Sequence, residues 1–272
     1  MPADLTLSSD PVMRAIGRLI IFKPFYGYLL SQFRRERTKQ LPAPMAVGID
    51  SKGDLVLYIN EERMVCPADG SRVLDPSKPM RPWTDIEVAA VLEHECLHVV
   101  HDHISRREWR DPKLFNIATD IAINTMISGL PKTGVWPKDY GLEDDKSAEA
   151  YYDALKQQAP DKCPVCKGRG KGKKGQKGHD GGGEGPGEPG EGPQSPGCPG
   201  CGHGGIDDHG TWDQGQAIPK GMRREIVRQA VGKANRRYRQ SPGQGKLPAG
   251  VERMIAEILK PPYDWKPLLR RF

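Results

Sequence analysis

Hydrophobic and polar positions divide the chain into segments of different period. From Pro11 to about Thr38 the apolar residues recur at helical spacing, broken at Pro24, which predicts a helical entry segment interrupted there. Two short apolar runs follow, Met45–Asp50 and Asp54–Asn60, joined by Ser51-Lys52-Gly53. Runs of that length around a Gly-containing turn predict a β-hairpin. Residues 61–82 show neither period and are rich in Pro and Asp, so they are expected to be irregular.

A strong helix signal begins at Thr84, with Glu87 three residues on as a capping box and Trp83 and Val88 in the staple positions. This helix is expected to reach about Arg107. A second opens at Asp111-Pro112, a cap followed by proline at the first helical position, and is expected to run through Ile127 to a stop at Gly129. A third, short helix is expected around Ser147–Gln157. Residues 219–239 read as a basic helix, and residues 250–272 as a final helix and tail.

Composition alters this picture in one place. Apolar residues make up 36% of the 272, low for a globule, but many of the 32 Gly and 25 Pro crowd between Lys167 and Gly205. That stretch cannot build a core and is expected to be disordered, whereas the rest has the makings of one. The net charge of +6 is mild and calls for no nucleic-acid partner by itself. No uncharged apolar run reaches about 18 residues, which argues against a membrane span. The apolar stretch Val12–Leu30 carries Arg14, Arg18, Lys23 and Pro24 and lacks a small-residue cleavage site, so it does not read as a secretory signal. Four of the six cysteines form two Cys-x-x-Cys pairs, which points to metal thiolates in a reducing compartment and so to a cytoplasmic protein.

The main candidate site is His94-Glu95-Cys96-Leu97-His98. His94 and His98 are one helical turn apart on one face, so both imidazoles can reach one Zn2+ ion. Glu95 is placed to take the proton of a water activated by that zinc, the chemistry that hydrolyses a peptide bond. His101 lies about 10 Å further along the axis than His94 and cannot share the ion. His103 projects away from the shared face unless the helix breaks, and no Gly marks a break there. In the second helix Asn116, Asp120 and Asn124 form one polar row in apolar surroundings. A buried row needs a partner. Asp120 as third zinc ligand, with Asn116 and Asn124 behind it, supplies one; an Asp that orients a histidine without touching metal is the other reading. Cys96 points away from the metal face and reads as a core thiol.

Cys163, Cys166, Cys198 and Cys201 form two knuckles able to close a second, structural four-cysteine zinc site, with disulfides or free thiols as the alternative. Asp208-His209, just before Trp212, either returns to the active site, with His209 as a catalytic donor or extra ligand, or caps the following helix. The basic helix carries Lys220, Arg223, Arg224, Arg228, Lys233, Arg236, Arg237 and Arg239 against Glu225. Its apolar stripe predicts packing on the core with a solvated basic face; a nucleic-acid or acidic-partner surface is the alternative. The Met45–Asn60 hairpin is a candidate edge on which an extended peptide substrate adds as a strand.

Several of these segments together resemble a known family. They are Pro24-Phe25 with Leu29-Leu30, Tyr58-Ile59-Asn60, Val91–His98 with His103 and Arg106-Arg107, Asn116–Asn124, Asp208-His209 with Trp212, Gly245–Gly250, and Trp265 with Leu268–Phe272. The chain resembles the predicted metal-dependent peptidases whose N-terminal domain precedes a von Willebrand factor A-like domain. The resemblance implies a zincin-like fold, peptidase activity on a protein or peptide, and association with MoxR-type AAA+ ATPases. Members of that family continue into the A-like domain; this sequence stops at Phe272 without an Asp-x-Ser-x-Ser motif, as expected of a fragment or a short form. The general plan also resembles SprT-like proteases, which draw their third ligand from a histidine. The expected architecture is α+β, mostly helical with a small sheet. It comprises a zincin-like core (1–160), an insert with zinc-ribbon-like knuckles (161–205) and C-terminal helices completing the core (206–272). A zincin-fold scaffold without catalysis is the competing function.

Overall fold

A computed structural model of the chain describes residues 8–72, 74, 77–158, 209–215, 217–241, 246–260 and 270. These are mixed α and β, with more helix than strand. They divide into two units: residues 1–63, 84–109 and 207–272 belong to the first, and residues 64–83 and 110–206 to the second. The four-cysteine set lies outside the described residues, as do Asp208 and the side chain of His209.

In the first unit, α1 (Pro11–Phe22) starts at Asp10, whose carboxylate accepts from the Val12 and Met13 N–H groups, and α2 (Pro24–Leu30) follows the expected break. A Cβ on Gly27 would lie 2.5 Å from Ile20 Cγ1, so only glycine lets the two helices approach this closely. The sequence reading carried helix on to Thr38. Instead Arg34–Arg37 forms strand β1, with all four residues exposed, parallel to β3. Pairing with an unfilled sheet edge overrides the local helical preference.

The hairpin forms as expected, with β2 (Met45–Ile49) antiparallel to β3 (Leu55–Ile59) and Val47 opposite Leu57. Every residue of both strands is buried, so this part of the sheet is covered on both faces. The turn is held by Asp50, whose Oδ1 accepts from the N–H groups of Lys52 and Asp54 at 2.8 and 2.9 Å. Gly53 supplies the φ of +91° that closes it.

Helix α3 (Asp85–Val100) has the expected capping box, and every residue from Val88 to Val100 is buried. It packs on α1, α2, β2, α7 (Lys220–Gln240) and α8 (Ala249–Leu259). The expected run to Arg107 does not occur. Asp102 takes a left-handed conformation (φ 53°, ψ 35°), and a separate short helix, α4 (His103–Arg106), begins after it. Asp is among the few non-glycine residues that tolerate this region, so the break needs no Gly.

The second unit contains a two-stranded antiparallel ribbon, β4 (Val65–Pro67) with β5 (Met80–Pro82), within the segment expected to be irregular. Helix α5 (Pro112–Asn124) begins at the Asp111 cap and ends three residues short of Ile127, the expected last residue. It pairs with α6 (Ala148–Gln157), where the Phe115 and Tyr152 rings meet edge to face at 6.1 Å and Arg110 lies over both. Among the described residues no helix is long and apolar enough to cross a membrane.

Candidate metal centre

The first unit brings His94, Glu95, His98 and His103 together around α3. His94, Glu95, His98 and His103 are all fully buried. The Nε2 atoms of His94 and His98 lie 2.8 Å apart, so the two imidazoles converge through the same ring position, as one turn of helix requires. Two ring nitrogens this close either share a proton or share a cation. Breaking the helix at Asp102 swings His103 back, so that its Nδ1 lies 2.9 Å from Nδ1 of His98. His98 therefore presents Nε2 toward His94 and is fixed from behind through Nδ1, the arrangement that orients a ligand histidine. His103 thus stands behind His98, not beside it at the shared face.

Glu95 points to the sheet. Its Oε2 accepts the Val47 N–H at 2.8 Å. The carbonyl of the same residue accepts from Trp212 Nε1 at 2.8 Å and Thr211 Oγ1 at 3.3 Å. Both outward-facing backbone groups of Val47 are thereby satisfied by side chains of the same unit. Close behind, a Cβ on Gly215 would lie 2.6 Å from the Ile49 carbonyl oxygen, so the segment after Trp212 runs tightly along β2. The expectation that β2 takes an extended substrate as an added strand fails at Val47, because its hydrogen-bonding groups are already used. Trp212 is fully buried, and its ring meets His98 at 5.7 Å between centroids. The sequence set Trp212 only beside Asp208-His209; its role as a wall beside His98 carries no local signature.

Further out, the Glu93 carboxyl is buried and pushed up by that burial, with Lys23 Nζ at 2.6 Å and the Tyr26 hydroxyl pulling it back. Cys96 is buried in the core, as expected, and burial raises its thiol well above the usual range. It is a packing group, not a nucleophile.

In the second unit Asp120 is fully buried on α5, in a helix otherwise lined by Phe115, Ile117, Ala118, Ile121 and Ile123. Asn124, one turn on, donates Nδ2–H to the Val135 carbonyl at 2.9 Å. Asn116, one turn back, keeps a buried Oδ1 with no hydrogen-bond partner among the described residues. A carboxylate this deep in an apolar helix is costly unless a cation or several donors meet it.

Comparison with known proteins gives the setting. A family model described as "Putative metallopeptidase domain" matches residues 70–272, which takes in both α3 and α5. An uncharacterised protein of Thermotoga maritima is 31% identical over 114 residues. That match covers 41% of this chain and 24% of the relative, so the chain spans about a quarter of the relative's length. No solved structure matches.

Proposed function

The chain belongs to the putative metallopeptidase domain family, and from that premise we propose that it is a zinc-dependent peptidase of the His-Glu-x-x-His type with a zincin-like fold. A metallopeptidase domain implies a metal, and His94, His98 and Asp120 make a group of the right residue types to hold one. The observation that carries the reading is the convergence of the His94 and His98 Nε2 atoms at 2.8 Å, with Glu95 on the same turn. Two neutral imidazoles and one carboxylate are a donor set that suits zinc and leaves room for a water.

When bound, zinc would polarise a peptide carbonyl and lower the pKa of a water, so that the water attacks as it gives up its proton. The chain's own residues do the rest. With Nδ1 protonated and donating to His103, His98 would keep its Nε2 lone pair for the metal. Glu95 accepts the proton of the attacking water and passes it to the leaving amine. The Val47 N–H donates to Oε2 of that carboxylate and fixes its direction. Trp212 closes one side of His98 against bulk water. Asp120 supplies the third ligand, with Asn116 and Asn124 on the turns either side of it. Cys163, Cys166, Cys198 and Cys201 form a second, structural zinc site. The substrate is a protein or peptide, delivered by an AAA+ ATPase of the MoxR type.

The test is zinc counted per chain on protein purified without added metal, together with hydrolysis of a quenched fluorescent peptide library. His94→Ala and Asp120→Ala should each lose one equivalent of zinc and all hydrolysis. Glu95→Gln should keep the zinc and lose the hydrolysis. Zinc content indifferent to His94→Ala would place all the metal elsewhere and end the reading.

A further inference from the structure

The strongest feature outside this centre is the C-terminal half of α7. We propose that this face is a sequence-independent nucleic-acid interface that grips a phosphodiester backbone. The inference goes beyond the peptidase reading and does not depend on it.

Helix α7 buries Arg223, Val227, Ala230, Val231 and Ala234; of the stripe Met222, Ile226, Ala230 and Ala234 that the sequence predicts, with Val227 and Val231 beside it, Met222 is exposed and Ile226 half-buried. That fixes which residues face outward. At 100° per residue Gln229, Lys233, Arg236, Arg237 and Gln240 share one face, with Arg239 at its flank. Gln229, Lys233, Arg236, Arg237, Arg239 and Gln240 are all exposed.

Charges elsewhere on the helix are accounted for, and buried Arg223 donates to the Gly215 and Ile218 carbonyls. Lys220 pairs with Glu108, Arg224 Nε lies 3.1 Å from Asp102, and Arg228 is 2.7 Å from Glu225, the only carboxylate in α7. The C-terminal half differs. No carboxylate among the described residues pairs with Lys233, Arg236 or Arg239, and Arg239 donates only to the Asn235 amide oxygen at 3.3 Å. Arg237 lies over the Tyr28 ring at 4.9 Å, which holds its guanidinium in place. The helix dipole favours cations in the last turn, which accounts for Arg237 and Arg239, but its effect fades before Lys233.

The composition of the face selects the partner. A protein interface needs apolar or aromatic anchors at its centre, and this face has none. Guanidinium forks and side-chain amides are the groups that meet phosphate oxygens. The face runs about 16 Å along the axis, the span of about five steps of one strand.

The experiment measures binding of the full chain to short fluorescent oligonucleotides, single-stranded DNA, duplex DNA and RNA, by anisotropy between about 50 and about 200 mM salt. The parent should bind with a steep salt dependence and little sequence preference. In Lys233→Gln/Arg236→Gln/Arg239→Gln the slope of log K against log salt should fall by about 3, and in Arg236→Gln alone by about 1. A control, Lys113→Gln/Lys132→Gln/Lys138→Gln, removes the same net charge from the other unit and should bind as the parent does. Circular dichroism checks that each variant is folded, and the single variant keeps the test open if the triple one is not. Absence of binding by the parent, an unchanged slope in the α7 variants, or an equal loss in the control would overturn the proposal. Equal or tighter binding of fluorescent polyglutamate would overturn it too, in favour of an acidic polypeptide partner.

Discussion

Nδ1 of His98 lies 2.9 Å from Nδ1 of His103, five residues away across the left-handed turn at Asp102. One of the two nitrogens must carry the proton, and for His98 to bind through Nε2 it must be the donor. His103 then holds the ring in plane and makes His98 a better base. Removing it in His103→Ala should lower zinc affinity by about 10- to 100-fold, the usual cost of losing the group behind a ligand histidine. Competition against a chromophoric chelator reads this directly. An affinity equal to the parent's would show that the contact plays no part in holding metal.

The turn that creates this contact has its own signature. Asp102 at φ 53° is a non-glycine residue in the left-handed region, and its carboxylate faces Arg224 at 3.1 Å. Asp102→Ala and Asp102→Gly both lose the ion pair, but only the alanine keeps the left-handed penalty. Asp102→Gly should therefore be more stable than Asp102→Ala by about 1 kcal/mol in urea unfolding. Equal stabilities would mean that the turn relaxes when its side chain is lost.

Much of the helix that carries the site was legible in the sequence. Thr84 and Glu87 marked its start, and the His94–His98 spacing marked the convergence of the two imidazoles. The hairpin was equally plain, since Asp50 and Gly53 are turn residues with a local mechanism. The break at Asp102 was not, because Asp accepts a left-handed backbone only when tertiary contacts demand it. The wall formed by Trp212 was hidden for another reason. Its bond to the Val47 carbonyl spans 165 residues, and no local pattern encodes a contact of that range. Strand β1 was hidden too, because Arg34-Arg35-Glu36-Arg37 has no apolar alternation, and its pairing comes from β3.

Acid should destabilise the first unit through His101. Burial, with the Arg106 charge adding to it, holds this imidazole down at about 4, against about 6.5 in an unfolded chain. Between those values the unfolded chain binds the proton and the folded one does not. The stability contributed is therefore present above about 6.5 and is lost as pH falls toward about 4. The whole difference is about 3 kcal/mol at roughly 1.4 kcal/mol per unit. Urea midpoints taken across this window on chelator-treated protein exclude the protons that metal release would add. The slope should flatten in His101→Gln; a parallel slope would assign the acid sensitivity to other groups.

Glu95 has two duties that substitution can separate. Its carboxylate accepts the Val47 N–H at 2.8 Å in a fully buried setting, and in the proposed mechanism it takes the proton of water. Glu95→Gln keeps an amide oxygen able to accept the Val47 N–H but removes the base. Glu95→Ala removes both and strands a buried N–H, at a cost of about 1–3 kcal/mol. Hydrolysis should vanish in both variants, while the loss of thermal stability should be larger in the alanine variant. Zinc content should be kept in Glu95→Gln, since neither histidine is touched. If the two variants instead lost stability equally, the bond to Val47 would be incidental, and the direction in which Glu95 points would have to be set by the metal-bound state alone.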